Sequence, residues 1–338
     1  MLPEKTQTTE QSILARELDL EGLHHFSLRE FVSETFKSYS WSEIETRLAV
    51  GTEFTTPQLS IGMAQFPRPW LFVRILSATL LAYFIFLLVL SIYQDVAIRA
   101  IPALIFTGCF SVPFAVLILF FEINTPRNVS IFQVIKLLMI GGAFSFLLSF
   151  LLFDFFPLYK VYGASSAGLI EELAKICAVV FMGRNFINKR HSYSLNGLLY
   201  GAAIGTGFAA FESAGYALEQ GLNENSFAAL NTSIWVRGFL APFMHITWTA
   251  IAGGAYWLAF RECGSFWKSF IKVRFLALFV ISIMLHFLWN FDIGGSELIS
   301  NLRFLVIGVV SWVICFMLAA TGYKEIKNTC AANAAQSL

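Results

Sequence analysis

Charge is scarce in this chain: only 13% of its 338 residues are Asp, Glu, Lys or Arg. That excludes an ordinary soluble domain, in which about a quarter of residues are charged, and it excludes a basic nucleic-acid-binding surface, so no nucleic-acid partner is expected. Cysteine is sparse as well. Cys109, Cys177, Cys263, Cys315 and Cys330 lie far apart with no CxxC pair, which excludes a disulfide framework and a thiolate metal site and leaves free thiols. The N-terminus lacks a basic segment followed by an apolar run, so no cleavable signal peptide is expected and the first membrane helix would direct insertion.

Long hydrophobic runs dominate instead. Hydrophobic residues make up 57% of the chain, and the mean hydropathy is +0.67. Eight stretches approach the roughly 20 apolar residues that a helix needs to cross the hydrocarbon: Trp70–Ile92, Ala100–Phe121, Val134–Phe153, Ser166–Met182, Leu195–Leu218, Gly238–Phe260, Val273–Phe291 and Leu302–Thr321. They are apolar on nearly all sides and longer than barrel strands. The expected fold is all-α, a polytopic bundle of about eight transmembrane helices preceded by a short soluble helical region.

That region, residues 1–69, carries two capping-box patterns, Ser27-Leu-Arg-Glu30 and Ser40-Trp-Ser-Glu43, each able to satisfy free amides at a helix start. Leu28, Phe31, Val32 and Phe36, then Trp41, Ile44 and Leu48, recur at helical spacing. Two short amphipathic helices follow, their apolar faces packing on each other, on the membrane surface or on a substrate. A linker through Pro57, Pro67 and Pro69 leads to the bundle, residues 70–323 with a core at about 134–291, and residues 324–338 form a tail. Lys and Arg are asymmetric about the spans. With the N-terminus inside, thirteen fall on the cytoplasmic side, and only Arg99, Lys160, Arg237 and Arg303 on the other. Both termini are therefore expected in the cytoplasm. His191, beside Lys189 and Arg190, reads as a solvated loop residue.

An ionised side chain within the bilayer costs roughly 2.5–3.5 kcal/mol on insertion scales unless it finds partners or water. Glu171, Glu172, Lys175 and Glu212 nevertheless lie within the spans, joined by His245 and His286. Counted from the helix ends, Glu171, Glu212, His245 and His286 all fall about 8–10 Å below the outer boundary, so four consecutive helices bring polar groups to one layer. Gly197, Gly201, Gly205, Ala209 and Ser213 form a small-residue stripe that allows close approach around Glu212, and Pro242 should kink the helix before His245. Two imidazoles and a carboxylate make a catalytic zinc arrangement, with a further glutamate to take a proton from water. Asn290, one turn after His286, could donate to an oxyanion. A structural ion-pair cluster on Lys175 would account for part of the same pattern.

The chain resembles the PrsW-type intramembrane proteases, relatives of the CAAX prenyl endopeptidase and bacteriocin-processing superfamily. The resemblance rests on Glu171-Glu172-Leu-Ala-Lys175, Phe208-Ala-Ala-Phe-Glu212, Pro242-Phe-Met-His245-Ile-Thr-Trp248 and His286-Phe-Leu-Trp-Asn290. It implies catalytic or ligating roles for Glu171, Glu172, Glu212, His245, His286 and Asn290, and a site facing the extracytoplasmic side. It also implies membrane-anchored protein substrates such as an anti-sigma factor, and residence in a bacterial inner or plasma membrane. The CAAX-processing relatives have histidine where this chain has Glu212, a departure that speaks against prenyl-protein processing. The expected mechanism places one divalent metal, zinc, on Glu212, His245 and His286, with Glu171 as general base and Glu172 paired to Lys175. Protonation of one or two glutamates would relieve the same excess of negative charge without a metal. Two other classes stay open: a non-catalytic membrane scaffold or sensor, and a proton- or cation-coupled transporter, although no internal repeat of the transporter kind is found.

Overall fold

The computed structural model describes residues 27–93, 99–292, 294 and 297–336; the signal-peptide reading falls on residues outside these. Every regular element among the described residues is helical. Two short helices, α1 (Leu28–Ser33) and α2 (Trp41–Leu48), precede the bundle, as the capping boxes predicted. Only the second box closes: Ser40 Oγ accepts from the Glu43 amide, and Glu43 accepts from the Ser40 amide at 2.7 Å. Ser27 caps α1 without a side-chain hydrogen bond.

The bundle consists of α3 (Leu71–Ile92), α4 (Ile101–Ile123), α5 (Ile131–Phe155), α6 (Ala167–Gly183), α7 (Ser194–Asn223), α8 (Phe227–Leu240), α9 (His245–Cys263), α10 (Val273–Asn290) and α11 (Glu297–Gln336). Five of these, α3, α4, α5, α10 and α11, are long and apolar enough to cross a membrane. Each of the eight apolar stretches meets a helix, but three fall short of that standard for a physical reason. Helix α6 has only 17 residues, and α7 and α9 are diluted by glycine, alanine, threonine and the polar groups of the site. These three form the interior, and twenty of the thirty residues of α7 are buried.

The small-residue stripe of α7 lies on α9. A Cβ at Gly205 would sit 2.5 Å from the His245 carbonyl oxygen, and one at Gly197 would sit 2.6 Å from that of Gly253. Both are far inside van der Waals contact, so glycine is needed for this backbone approach. Gly142 of α5 packs against the Gly207 backbone in the same way, just after a π-helical turn at Leu137–Gly141.

Two expectations are corrected. Pro242 does not kink a helix running through His245. It lies in a 3-10 turn, Ala241–Phe243, that separates α8 from α9, so the sixth stretch begins at His245 and not at Gly238. His191 is not solvated: it is 3% exposed, its Nδ1 lies 2.6 Å from the Tyr200 hydroxyl, and its carbonyl accepts from Trp257 Nε1. The adjacent charges misled the sequence reading, because Arg190 turns instead to the Gly51 carbonyl of the N-terminal segment.

That segment packs across the helix ends. Tyr39 stacks on Trp70 with ring centroids 4.0 Å apart, and Phe66 meets Phe316 and Tyr323 of α11. Glu122, at the end of α4, accepts from the backbone amides of Trp70, Leu71 and Phe72 and so satisfies the free amides that open α3. The cysteines are unbridged, with Cys109 and Cys315 buried.

Candidate active site

Helices α6, α7, α9 and α10 bring Glu171, Glu172, Lys175, Glu212, His245 and His286 into one cluster, all of them buried. Because α6 offers Glu171, Glu172 and Lys175 within little more than one turn, one ammonium meets both carboxylates. Lys175 Nζ is 2.6 Å from Glu172 Oε1 and 3.8 Å from Glu171 Oε2. It also lies 3.0 Å from His245 Nδ1 and 4.4 Å from the centre of the Phe208 ring. The Glu172–Lys175 pairing read from the sequence is therefore present.

Each histidine has one ring nitrogen beside a carboxylate and the other turned toward Glu171. His286 Nδ1 donates to Glu172 Oε1 at 2.9 Å, and its Nε2 faces Glu171 Oε2 at 3.8 Å. His245 Nε2 lies 3.0 Å from Glu212 Oε2, and its Nδ1 is 3.8 Å from Glu171 Oε2. Trp248 stacks on His286, centroids 4.6 Å apart, and anchors its own Nε1 on Ser311 Oγ of α11. A ring so held cannot rotate freely, which is how outlying contacts orient metal-binding histidines.

Glu171, His245 and His286 each offer a ligand atom within 4.8 Å of the others. The sequence had grouped Glu212 with the two histidines and left Glu171 as base. In the structure Glu171 stands between both rings, while Glu212 Oε2 is also held by Arg237 Nη2 at 2.6 Å. Glu171 Oε2 and Glu172 Oε2 are buried and accept no hydrogen bond, the former having only Lys175 Nζ and the two imidazoles at 3.8 Å, and His245 Nε2 has only the charge contact with Glu212 Oε2. Buried polar atoms left without a hydrogen bond in this way are costly. The Glu171 carboxylate and the two imidazoles, converging in this way, match the donor set of a catalytic zinc site, so these residues fit a divalent cation.

The cluster forms the floor of a cavity of about 600 Å³, walled by Phe146, Phe150, Phe153, Phe208, Tyr216 and Trp289. Asn290, at the end of α10, lines it too, as do Glu171, Glu212, His245 and His286. Glu172 does not line it. Its carboxylate is fully enclosed between Lys175 and His286.

Sequence reasoning missed Arg237 and Trp248. Arg237 had been counted with the outer loop charges, yet it projects from α8 to Glu212 and lies over the Tyr216 ring at 4.0 Å. The available signal was its neighbourhood, Ile234-Trp-Val-Arg237-Gly-Phe-Leu240, in which a lone cation sits among apolar residues.

No curated protein and no solved structure matches the chain. The family model of the PrsW family intramembrane metalloprotease matches residues 100–319, about two thirds of the length. The matched stretch runs from α4 into α11 and contains every residue of the polar cluster, so the chain belongs to the PrsW family of intramembrane metalloproteases.

Proposed function

We propose that the protein hydrolyses peptide bonds of membrane-anchored proteins close to the extracytoplasmic face of the bilayer, a regulator such as an anti-sigma factor being the substrate class. The observation that carries this reading is Glu171 Oε2, buried and accepting no hydrogen bond, 3.8 Å from both His245 Nδ1 and His286 Nε2 at the floor of an open cavity. Glu171, His245 and His286 would hold the cation, and a carboxylate with two imidazoles favours zinc. Bound there, it would polarise the scissile carbonyl and lower the pKa of water toward about 7.

The chain's own groups account for the remaining requirements. Glu172 fixes His286 and is itself held by Lys175. Glu212, the most exposed of the three carboxylates at 11%, is the base that takes a proton from water and returns it to the leaving amine. This exchanges the roles of Glu171 and Glu212 relative to the sequence expectation. Asn290 donates its amide N–H to the oxyanion that develops on the scissile carbonyl. The aromatic walls exclude bulk water and receive the apolar side chains of the substrate.

In this reading the chain crosses the bilayer eight times, with α6, α7 and α9 as the three interior crossings and both termini in the cytoplasm. Support comes from the Lys and Arg asymmetry. Residues 1–69 act as a cytoplasmic cap, 70–323 as the bundle and 324–338 as a tail. The test is mass spectrometry of new protein termini in membranes from cells carrying either the intact protein or Glu171→Gln. Fragments cut in or beside an apolar segment should appear only with the intact protein. The absence of any Glu171-dependent terminus would overturn the proposal.

A further inference from the structure

We propose that Arg237 is the positioning residue for Glu212 in peptide hydrolysis; this rests on the peptidase reading above. Arg237 lies on α8, which carries none of the four motifs found in the sequence. Its Nη2 is 2.6 Å from Glu212 Oε2, the same oxygen that lies 3.0 Å from His245 Nε2. One carboxylate oxygen is thus shared by a guanidinium and an imidazole, which leaves Glu212 little freedom to rotate.

The guanidinium is itself held. It lies 4.0 Å over the ring of Tyr216, one turn beyond Glu212 on α7, so one face of one helix presents both the carboxylate and the surface on which its partner rests. Helix α8 is fixed from behind. A Cβ at Gly238 would sit 3.0 Å from the Gly108 carbonyl oxygen of α4, and Tyr83 of α3 donates to Asn231 of α8. The neighbour of Arg237 is therefore in close backbone contact with α4, which sets how far the arginine can reach.

Charge leads to the same residue. Glu171, Glu172 and Glu212 set against Lys175 alone would leave two excess negative charges in a buried layer; Arg237 reduces this to one. A group needed only for neutralisation could be any cation at that distance. A positioning group must hold the carboxylate at a fixed angle, and displacement of a reacting group by about 1 Å can cost about 100-fold in rate.

The experiment uses the full chain in detergent, with a membrane protein whose Glu171-dependent cleavage the terminus comparison identifies as the substrate. Arg237→Met should lower kcat about 100-fold with KM within about 2-fold, while Arg237→Lys should recover part of kcat. Added to Glu212→Gln, Arg237→Met should cause little further loss, because the two residues act as a unit. Thermal unfolding is followed in parallel. Unchanged kcat in folded Arg237→Met, or loss of activity only in proportion to loss of folded protein, would overturn the proposal and reduce Arg237 to a stabilising counter-charge. A raised KM with unchanged kcat would also overturn it, in favour of substrate binding. If no Glu171-dependent fragment exists, it is the peptidase reading itself that fails.

Discussion

Glu172 and His286, 114 positions apart in sequence, meet through a 2.9 Å hydrogen bond from the ring Nδ1 to Oε1, and the bond turns the opposite ring nitrogen toward Glu171. Adjacent glutamates on one helix therefore have unlike surroundings. Glu172 is enclosed, its Oε1 bonded to both Lys175 and His286, whereas Glu171 Oε2 accepts no hydrogen bond and Glu171 lines the cavity.

This contrast predicts opposite phenotypes for the same substitution. Glu171→Gln removes no hydrogen bond from Oε2, so cleavage should vanish while the melting temperature changes by only a few degrees. Glu172→Gln breaks a buried pair with Lys175 and should cost about 3–5 kcal/mol. Thermal unfolding of the two purified variants makes the comparison. Equal destabilisation would return the cluster to a purely structural role.

Metal content tests the donor set directly. Elemental analysis of the purified protein should find close to one zinc per chain, and much less after His245→Ala or His286→Ala. Chelation should abolish cleavage, and added zinc should restore it. Full activity in rigorously metal-free protein would remove the cation from the mechanism and return the proton transfer to a glutamate acting alone.

Orientation follows from the distribution of Lys and Arg. Reporters fused at Lys189 and Lys268 should read cytoplasmic, and one fused at Asn223 extracytoplasmic. The reverse pattern would place the cavity on the cytoplasmic side.

His191 supplies a pH dependence remote from the chemistry. Burial lowers its imidazole from the ordinary 6.5 to about 4, so the folded protein holds the ring neutral while the unfolded chain protonates first. The stability from this group is fully present above about pH 6.5 and is lost as the pH falls toward 4. The linkage amounts to about 3 kcal/mol across that window. His191→Gln should flatten the acid limb of melting temperature against pH. Parallel curves for variant and parent would rule His191 out as the cause.

Much of this architecture could be read from residue patterns. Apolar run length located every bundle helix but α8, because the bilayer requires it. The buried Glu171, Glu172, Glu212, His245 and His286 stood out because hydrocarbon admits few such groups. Their partners were harder to read. Arg237 was taken for a loop charge because Phe227–Leu240, at fourteen residues, is too short to register as a span of its own. The roles of Glu171 and Glu212 depend on which carboxylate stands between two rings, and that is decided by helix rotation, which residue type and spacing do not encode. Pro242 was read as a kink where it ends one helix and starts another, since proline is compatible with both.

The length of α11 bears on where substrates are cut. Its 40 residues extend about 60 Å, twice the roughly 30 Å of hydrocarbon that one crossing needs. Glu325, in its second half, accepts from the Ser194 amide and hydroxyl where α7 begins and lies 3.5 Å from Arg261. In the orientation proposed above, this polar knot would lie at the cytoplasmic surface of the membrane. Glu212 lies eighteen residues further along α7, about 27 Å away along the helix. The two levels would then make a ruler with one end pinned at the lipid boundary. Bilayer thickness would then set how deep the reactive groups lie beneath the opposite headgroups, and the bond presented to them would be chosen by distance from that surface more than by the side chains flanking it. Reconstitution in lipids of graded acyl length should therefore shift the cut along a single substrate, and a cut that stays fixed would show that sequence, not depth, selects the bond.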